Sequence, residues 1–199
     1  MPSPTPDEKD REIVQLLQGD PDVPHREIAR KVGLSQPAVS ARIHRLRNEG
    51  YLKIQVGLDA DSVGLVLAKV DVVSLEPQAL VESFRNCPLL VNALFTSGRT
   101  NATLFFVGES AEHLQTIVDV HLRPLPSVQG VEFQIITGSF HPWILPVSVT
   151  ADRCDRTVCG YSCASCRYYQ IDRCPGCPAT IHYKGRFWQT SPAPLVPSA

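Results

Sequence analysis

Apolar positions in the first third of the chain recur every three or four residues. Ile13, Leu16 and Leu17 form one stripe, predicting a helix from about Asp7 with acids in its first turn, where the positive helix end favours them. Gly19-Asp20-Pro21-Asp22 ends it. Ile28 and Val32, four apart, share a face of a second short helix after Pro24. Gly33 then breaks the helix where the chain must reverse, because glycine takes positive φ at little steric cost. Leu34 plugs the corner. Ser35 is a good N-cap for a third helix, and Pro37 is tolerated in its first turn. Val39, Ile43 and Leu46 give that helix an apolar stripe facing the second. After Gly50, the alternation from Tyr51 to Val56 predicts a strand.

From Leu58 to Thr137 the period switches back and forth. Leu65–Val73, Leu89–Thr96, Asn101–Val107 and a last run through Val131, Phe133 and Ile135 read as strands. Pro77–Cys87 (Leu80, Phe84, Cys87) and Ala111–Leu122 (Leu114, Ile117, Val118, His121) read as helices. The order βαββαβ fits a ferredoxin-like sandwich with both helices on one sheet face. The bare face needs a cover, most simply a second copy, which predicts a homodimer or higher homo-oligomer. The expected fold class is therefore α+β. Its parts are a three-helix helix-turn-helix head (1–57), a ferredoxin-like domain (58–137), a docked linker (138–153), a cysteine-rich module (154–190) and a disordered Pro/Ala-rich tail (191–199).

Charge changes the picture of the head. Between Pro24 and Lys53 there are seven Lys/Arg against two acids, a net of +5 in a chain whose total is −1. A helix pair that merely packs in a core has no need of this; a double-stranded DNA partner does. The face opposite the apolar stripe of the third helix carries Ser35, Gln36, Pro37, Ser40, Arg42, His44, Arg45 and Arg47 at its centre and edges. Small or polar groups in the middle suit approach to base edges, and guanidinium groups at the rim suit phosphates. These eight are the candidate DNA-binding residues. Lys53 is more simply a solvated lysine.

Composition excludes other classes. No apolar run is long enough to span a membrane, and MPSPTPDEKDREI lacks the basic start and apolar core of a signal peptide. A cytoplasmic location with reduced thiols is expected, so seven cysteines point to metal or redox chemistry rather than a disulfide framework. Six fall within 24 residues: Cys154, Cys159, Cys163, Cys166, Cys174 and Cys177, spaced C-x4-C-x3-C-x2-C-x7-C-x2-C. The two C-x2-C pairs can chelate zinc, with Gly176 as a flexible knuckle. The alternative is an iron–sulfur cluster, because Cys159, Cys163 and Cys166 resemble a three-cysteine cluster loop and a proline follows both Cys174 and Cys177. Either would supply the folding free energy that so short a segment cannot find in a core. Cys87 continues a buried helical face and reads as core, and His113 and His121 have no partners nearby in sequence. Thr180–Trp188 predicts a hairpin turning at Lys184-Gly185, with His182 a surface strand residue.

The run LSQPAVSARIHRLRNEGYL resembles the recognition helix of the Lrp/AsnC (leucine-responsive) transcriptional regulators, through Leu34-Ser35, Val39, Arg42-Ile43, Leu46, Gly50 and Leu52. It departs from them at Ala41, where the family carries a second arginine, and at Arg47, where it carries an acid. A different operator is implied. With the βαββαβ region the resemblance spans about 140 residues and implies a DNA-binding regulator rather than an enzyme. It also implies a small, amino-acid-like effector at the turn between the middle strands, here Ser97, Gly98 and Asn101. An ordinary hairpin turn accounts for the same residues. CGYSCASCRYYQIDRCPGC is separately similar to a small cysteine-rich family of unassigned role. Three functions follow: a regulator modulated by metal or redox state at the six cysteines, the same regulator with a purely structural zinc and a small-molecule effector, or an Lrp-like enzyme such as a sirohaem decarboxylase. No paired acid/base constellation supports the last.

Overall fold

The computed structural model describes residues 5–190, so the stretch from Ser191 expected to be disordered lies outside the described residues. The chain divides into two compact units at Val56/Gly57. In the first, α1 (Glu8–Gly19), α2 (His25–Val32) and α3 (Gln36–Asn48) enclose a core of Ile13, Leu17, Val23, Ile28, Val32, Val39 and Ile43. Asp7 caps α1 in a reciprocal box with Asp10, each side chain accepting the other's backbone N–H. Gly33 closes α2 in the left-handed region at φ 70°, and the Ser35 hydroxyl accepts the Ala38 amide at 3.3 Å to open α3. Each large apolar side chain fully buried in such a core contributes about 1.5–3 kcal/mol.

The strand expected over Tyr51–Val56 does not form. These residues run without regular pairing, and Val56 is 91% exposed. An alternating pattern makes a strand only where a second edge is available for its amides.

In the second unit, β1 (Leu58–Asp59) is a two-residue strand ahead of the main sheet. The sheet consists of β2 (Val66–Ser74), β3 (Leu90–Phe95), β4 (Ala102–Gly108) and β5 (Val128–Ile136), all antiparallel in the order β3-β4-β2-β5. That order, with α4 (Pro77–Ser83) and α5 (Ala111–Ile117) as the intervening helices, is the ferredoxin-like arrangement the alternation predicts. Register puts Val70 opposite Leu104 and Phe133, and Ala68 opposite Phe106 and Ile135, so one face carries the core with Phe84, Leu114 and Val118. On the other face Asp71 accepts Thr103 Oγ1 at 2.6 Å and Lys69 Nζ at 2.5 Å, and Phe105 packs on Trp143 at 5.4 Å. α5 widens into a π-helical turn over Val118–Leu122, a feature frequent at functional sites.

The segment expected as a docked linker pairs twice. β6 (Ile144–Leu145) runs antiparallel to β1, and β7 (Thr150–Ala151) runs parallel to β8 (Gln189–Thr190). Between β7 and β8 lies the cysteine segment, with a 3-10 turn at Cys163–Ser165 and one helical turn, α6 (Arg167–Gln170). The hairpin expected over Thr180–Trp188 is absent. Instead the chain folds around Glu109, whose carboxylate accepts the Tyr183 hydroxyl at 2.6 Å and the amides of Arg186, at 2.6 Å, and Phe187. A charged acceptor for three donors replaces the ladder that a hairpin would have supplied. Tyr183 and Trp188 are buried as a result. Among the described residues no helix is long and apolar enough to cross a membrane.

Candidate functional site

The recognition helix splits its polar residues into two sets. Val39, Ile43 and Leu46 turn inward and are at most 2% exposed. Gln36, Pro37, Ala41, His44 and Arg47 are exposed, with Ser40 half-buried among them and Ser35 at the cap. This outward strip is the surface a major groove would meet. Arg42 and Arg45 belong to the other set. Arg42 Nη1 donates to Asp7 Oδ2 at 2.6 Å and to Asp10 Oδ1 at 2.8 Å, and Arg45 Nη2 is paired with Asp10 Oδ2. Asp10 is fully buried. The hydrogen bond from Arg42, followed by the Asp10 amide, holds the Asp7 carboxyl below its usual range. The same pairing raises Arg42 further above the range in which it could lose its proton. So two of the seven basic residues in the helix-turn-helix stretch brace α3 against α1, while Arg26, Arg30, Arg47 and Lys53 stay exposed.

The residues expected at an effector site sit on the β3–β4 turn. Ser97 and Gly98 are exposed at its tip. Asn101 is committed to the fold: its Oδ1 accepts the Ser74 amide at 2.9 Å and its Nδ2 donates to the Ser74 carbonyl at 2.7 Å. That side chain closes the end of β2 onto β4.

The cysteines come together across the second unit. Cys159, Cys163, Cys166, Cys174 and Cys177 line a single cavity of about 320 Å³, whose far wall is Phe84, Cys87, Leu89 and the α5–π face through His113, Ile117, Val120 and His121. Cys154 is exposed and does not line it. Its backbone instead bridges to Thr180 and Ala179, fastening one end of the segment to the other. His121 Nδ1 lies 3.4 Å from Cys159 Sγ, and its ring meets Tyr161 edge-on at 4.4 Å. Tyr168 donates its hydroxyl to Asp119 Oδ2 at 3.2 Å, so the π turn holds the cysteine segment at two points. All seven thiols are free.

Burial governs the chemistry of this cavity. It pushes the thiols of Cys87 and Cys174 up to about 11 and that of Cys177 to about 12, against nearby backbone amides that favour the thiolate. It presses His121 down to about 4, and His113 likewise, with Glu109 pulling the latter part of the way back. At neutral pH Cys87, Cys174 and Cys177 are neutral thiols, and His113 and His121 are neutral imidazoles. A bound cation is what would draw the thiolate form out of them. Spacing in the sequence marks the tail cysteines but not Cys87, His121 or Glu109. Each meets the tail only through contacts tens of residues distant, and no local signal announces them.

Known proteins match this arrangement in part. The AsnC-type helix-turn-helix domain matches residues 7–47. The transcriptional regulator FL11 of Pyrococcus horikoshii is 26% identical over 134 residues, covering 65% of this chain and 88% of that protein. AldR of Mycobacterium tuberculosis, also a transcriptional regulator, is 26% identical over 137 residues, covering 65% and 76%. Among solved structures, AsnC of E. coli superposes with a TM-score of 0.62 at 16% identity, over 70% of this chain and 97% of its own. A transcriptional regulator of Neisseria meningitidis in complex with L-Met gives 0.60 at 22%, over 70% and 96%. Each neighbour is thus matched almost end to end by some seven-tenths of this chain. Both relatives are named as transcriptional regulators. The chain carries an AsnC-type helix-turn-helix domain and is similar, over about two thirds of its length, to transcriptional regulators of the Lrp/AsnC type.

Proposed function

We propose that this regulator binds its operator as a homodimer through the outward strip of α3, with a grip on DNA that follows the metal or redox state of the cysteine cavity. The observation that carries the reading is the cavity's composition. Its near wall is tail sulfur, and its far wall is the α5–π face of the sheet domain. A ligand there touches both at once, so its arrival or loss acts on the domain whose open face is suited to pairing with a second copy. Coupling then requires only that the ligand bind two arrangements of that domain unequally.

The effector alternative has less to stand on. Asn101 spends its amide on Ser74, leaving Ser97 and Gly98 as the polar groups of the turn. The test is fluorescence anisotropy of the full chain on the promoter fragment upstream of its own coding sequence. Anaerobic metal-loaded, metal-stripped and oxidised forms are compared at one salt concentration, since affinity for DNA depends steeply on salt. A difference of about fivefold or more between forms is expected, the lower end of ordinary allosteric coupling. Equal affinity in all three forms overturns the sensor reading.

A further inference from the structure

The cavity, about 320 Å³ and open on one side, has room for more than one ion. Zinc with bonds of about 2.3 Å to sulfur draws four thiolates to roughly 3.8 Å of one another. Among the described residues, no three thiol, imidazole or carboxylate groups converge closely enough to hold a single ion. Five tail thiols line the cavity walls.

Those sulfurs are nevertheless prepared. Cys163 Sγ accepts the Cys177 amide at 3.5 Å, and the Thr180 hydroxyl beside it, at 3.7 Å, donates to the Cys177 carbonyl at 2.9 Å. Cys159 Sγ has the Thr157 hydroxyl at 3.1 Å. The amides of Gly176 and Ala179, each two residues on, reach Cys174 and Cys177. Gly176 has φ +89°, and a Cβ there would meet the His182 carbonyl oxygen at 2.9 Å, so the knuckle admits glycine alone. Donors ranged around sulfur are the outer shell that steadies metal-bound thiolates and tunes a cluster's potential.

We propose that the cavity seats an iron–sulfur cluster ligated by four of the five thiolates of Cys159, Cys163, Cys166, Cys174 and Cys177. The fifth thiolate and His121 close its rim. The inference rests on the reading above that the cysteine segment is a metal site. It specifies a polynuclear centre in place of a single zinc, and it excludes Cys154, which lies outside the cavity.

The experiment is iron, acid-labile sulfide and zinc analysis of the full chain, with visible and electron paramagnetic resonance spectra. The chain is taken as purified anaerobically and after reconstitution with ferrous iron and sulfide. Brown protein with iron and sulfide in near-equal amounts is expected, its visible band lost in at least four of the five single serine variants at Cys159, Cys163, Cys166, Cys174 and Cys177 and kept in Cys154→Ser. A colourless chain that holds one zinc and takes up neither iron nor sulfide overturns the proposal. So does a cluster that survives two or more of the five single serine substitutions. Metal and sulfide content of the unaltered chain decides the matter even if a serine variant fails to fold. If the cluster is present but its oxidised and reduced forms bind the promoter equally, the cluster stands and the coupling falls. If zinc alone is bound and its removal alters DNA affinity, the coupling stands and the cluster falls.

Discussion

Arg42 of the recognition helix reaches back 2.8 Å to Asp10, a carboxylate with no exposed surface at the start of α1. Arg45 pairs with the same carboxylate. Arg47, exposed on the outward strip, is therefore a different kind of residue from the two arginines bound to Asp10, and mutation separates them.

Arg47→Ala removes an exposed cation from the outward strip. It is expected to weaken DNA binding about equally on all sequences and to lower the slope of log affinity against log salt by about 1, with no change in the unfolding midpoint. Arg42→Ala is expected to lower the midpoint instead. Anisotropy titrations over a salt series and urea unfolding of the same preparations distinguish the two.

Asp10→Ala leaves two guanidinium groups without their shared acceptor and opens the capping box of α1. Breaking a fully buried pair costs about 3–5 kcal/mol, and a missing cap about 1 kcal/mol. Arg42 and Arg45 retain 29% and 38% exposure, and solvent screening reduces the ionic part. A loss of about 2 kcal/mol in the head's unfolding free energy is expected, read from the urea transition.

Asp7 gives the head an acid-sensitive brace. The hydrogen bond from Arg42 holds its carboxyl below the ordinary 3.8, so the folded head binds this proton less readily than the unfolded chain. The contribution is complete above that ordinary value and is lost as the pH falls through the depressed one. Asp7→Asn is expected to flatten the acid limb of the stability profile, with no effect on its slope near neutrality. Urea midpoints followed downward through the carboxylate range check this.

Glu109→Gln tests the anchor of the tail. Burial pushes this carboxyl up, but the Tyr183 hydroxyl and the Phe187 and Arg186 amides outweigh it and keep it ionised. Glutamine keeps the shape and forfeits the charge that gathers those donors, at a cost of about 1–3 kcal/mol. Faster hydrogen exchange at Arg186 and Phe187, with α3 unaffected, is the expected result.

Much of this was legible from local chemistry. The caps at Asp7 and Ser35, the break at Gly33 and the stripe Val39, Ile43, Leu46 act within a few residues, so spacing alone locates three helices. The alternation in β2, β4 and β5 likewise carries the sheet. What spacing cannot carry is long-range pairing. Arg42 reads as a DNA contact until Asp10, 32 residues away, claims it. Cys87 is core, as its helical spacing reads, and faces the tail as well; His121 reads as unpartnered until the tail folds over it. Lys184-Gly185 reads as a hairpin turn until Glu109, more than seventy residues upstream, takes the amides that a second strand would have used.

The embrace of Glu109 by residues 183–187, together with the parallel pairing of Thr150 with Gln189, means that the cysteine segment is not a portable tag. Excised and grafted onto another carrier, it would lose the α5–π wall that makes up half its cavity and the carboxylate that holds its return stroke. Any laboratory transplant must bring the host's wall along.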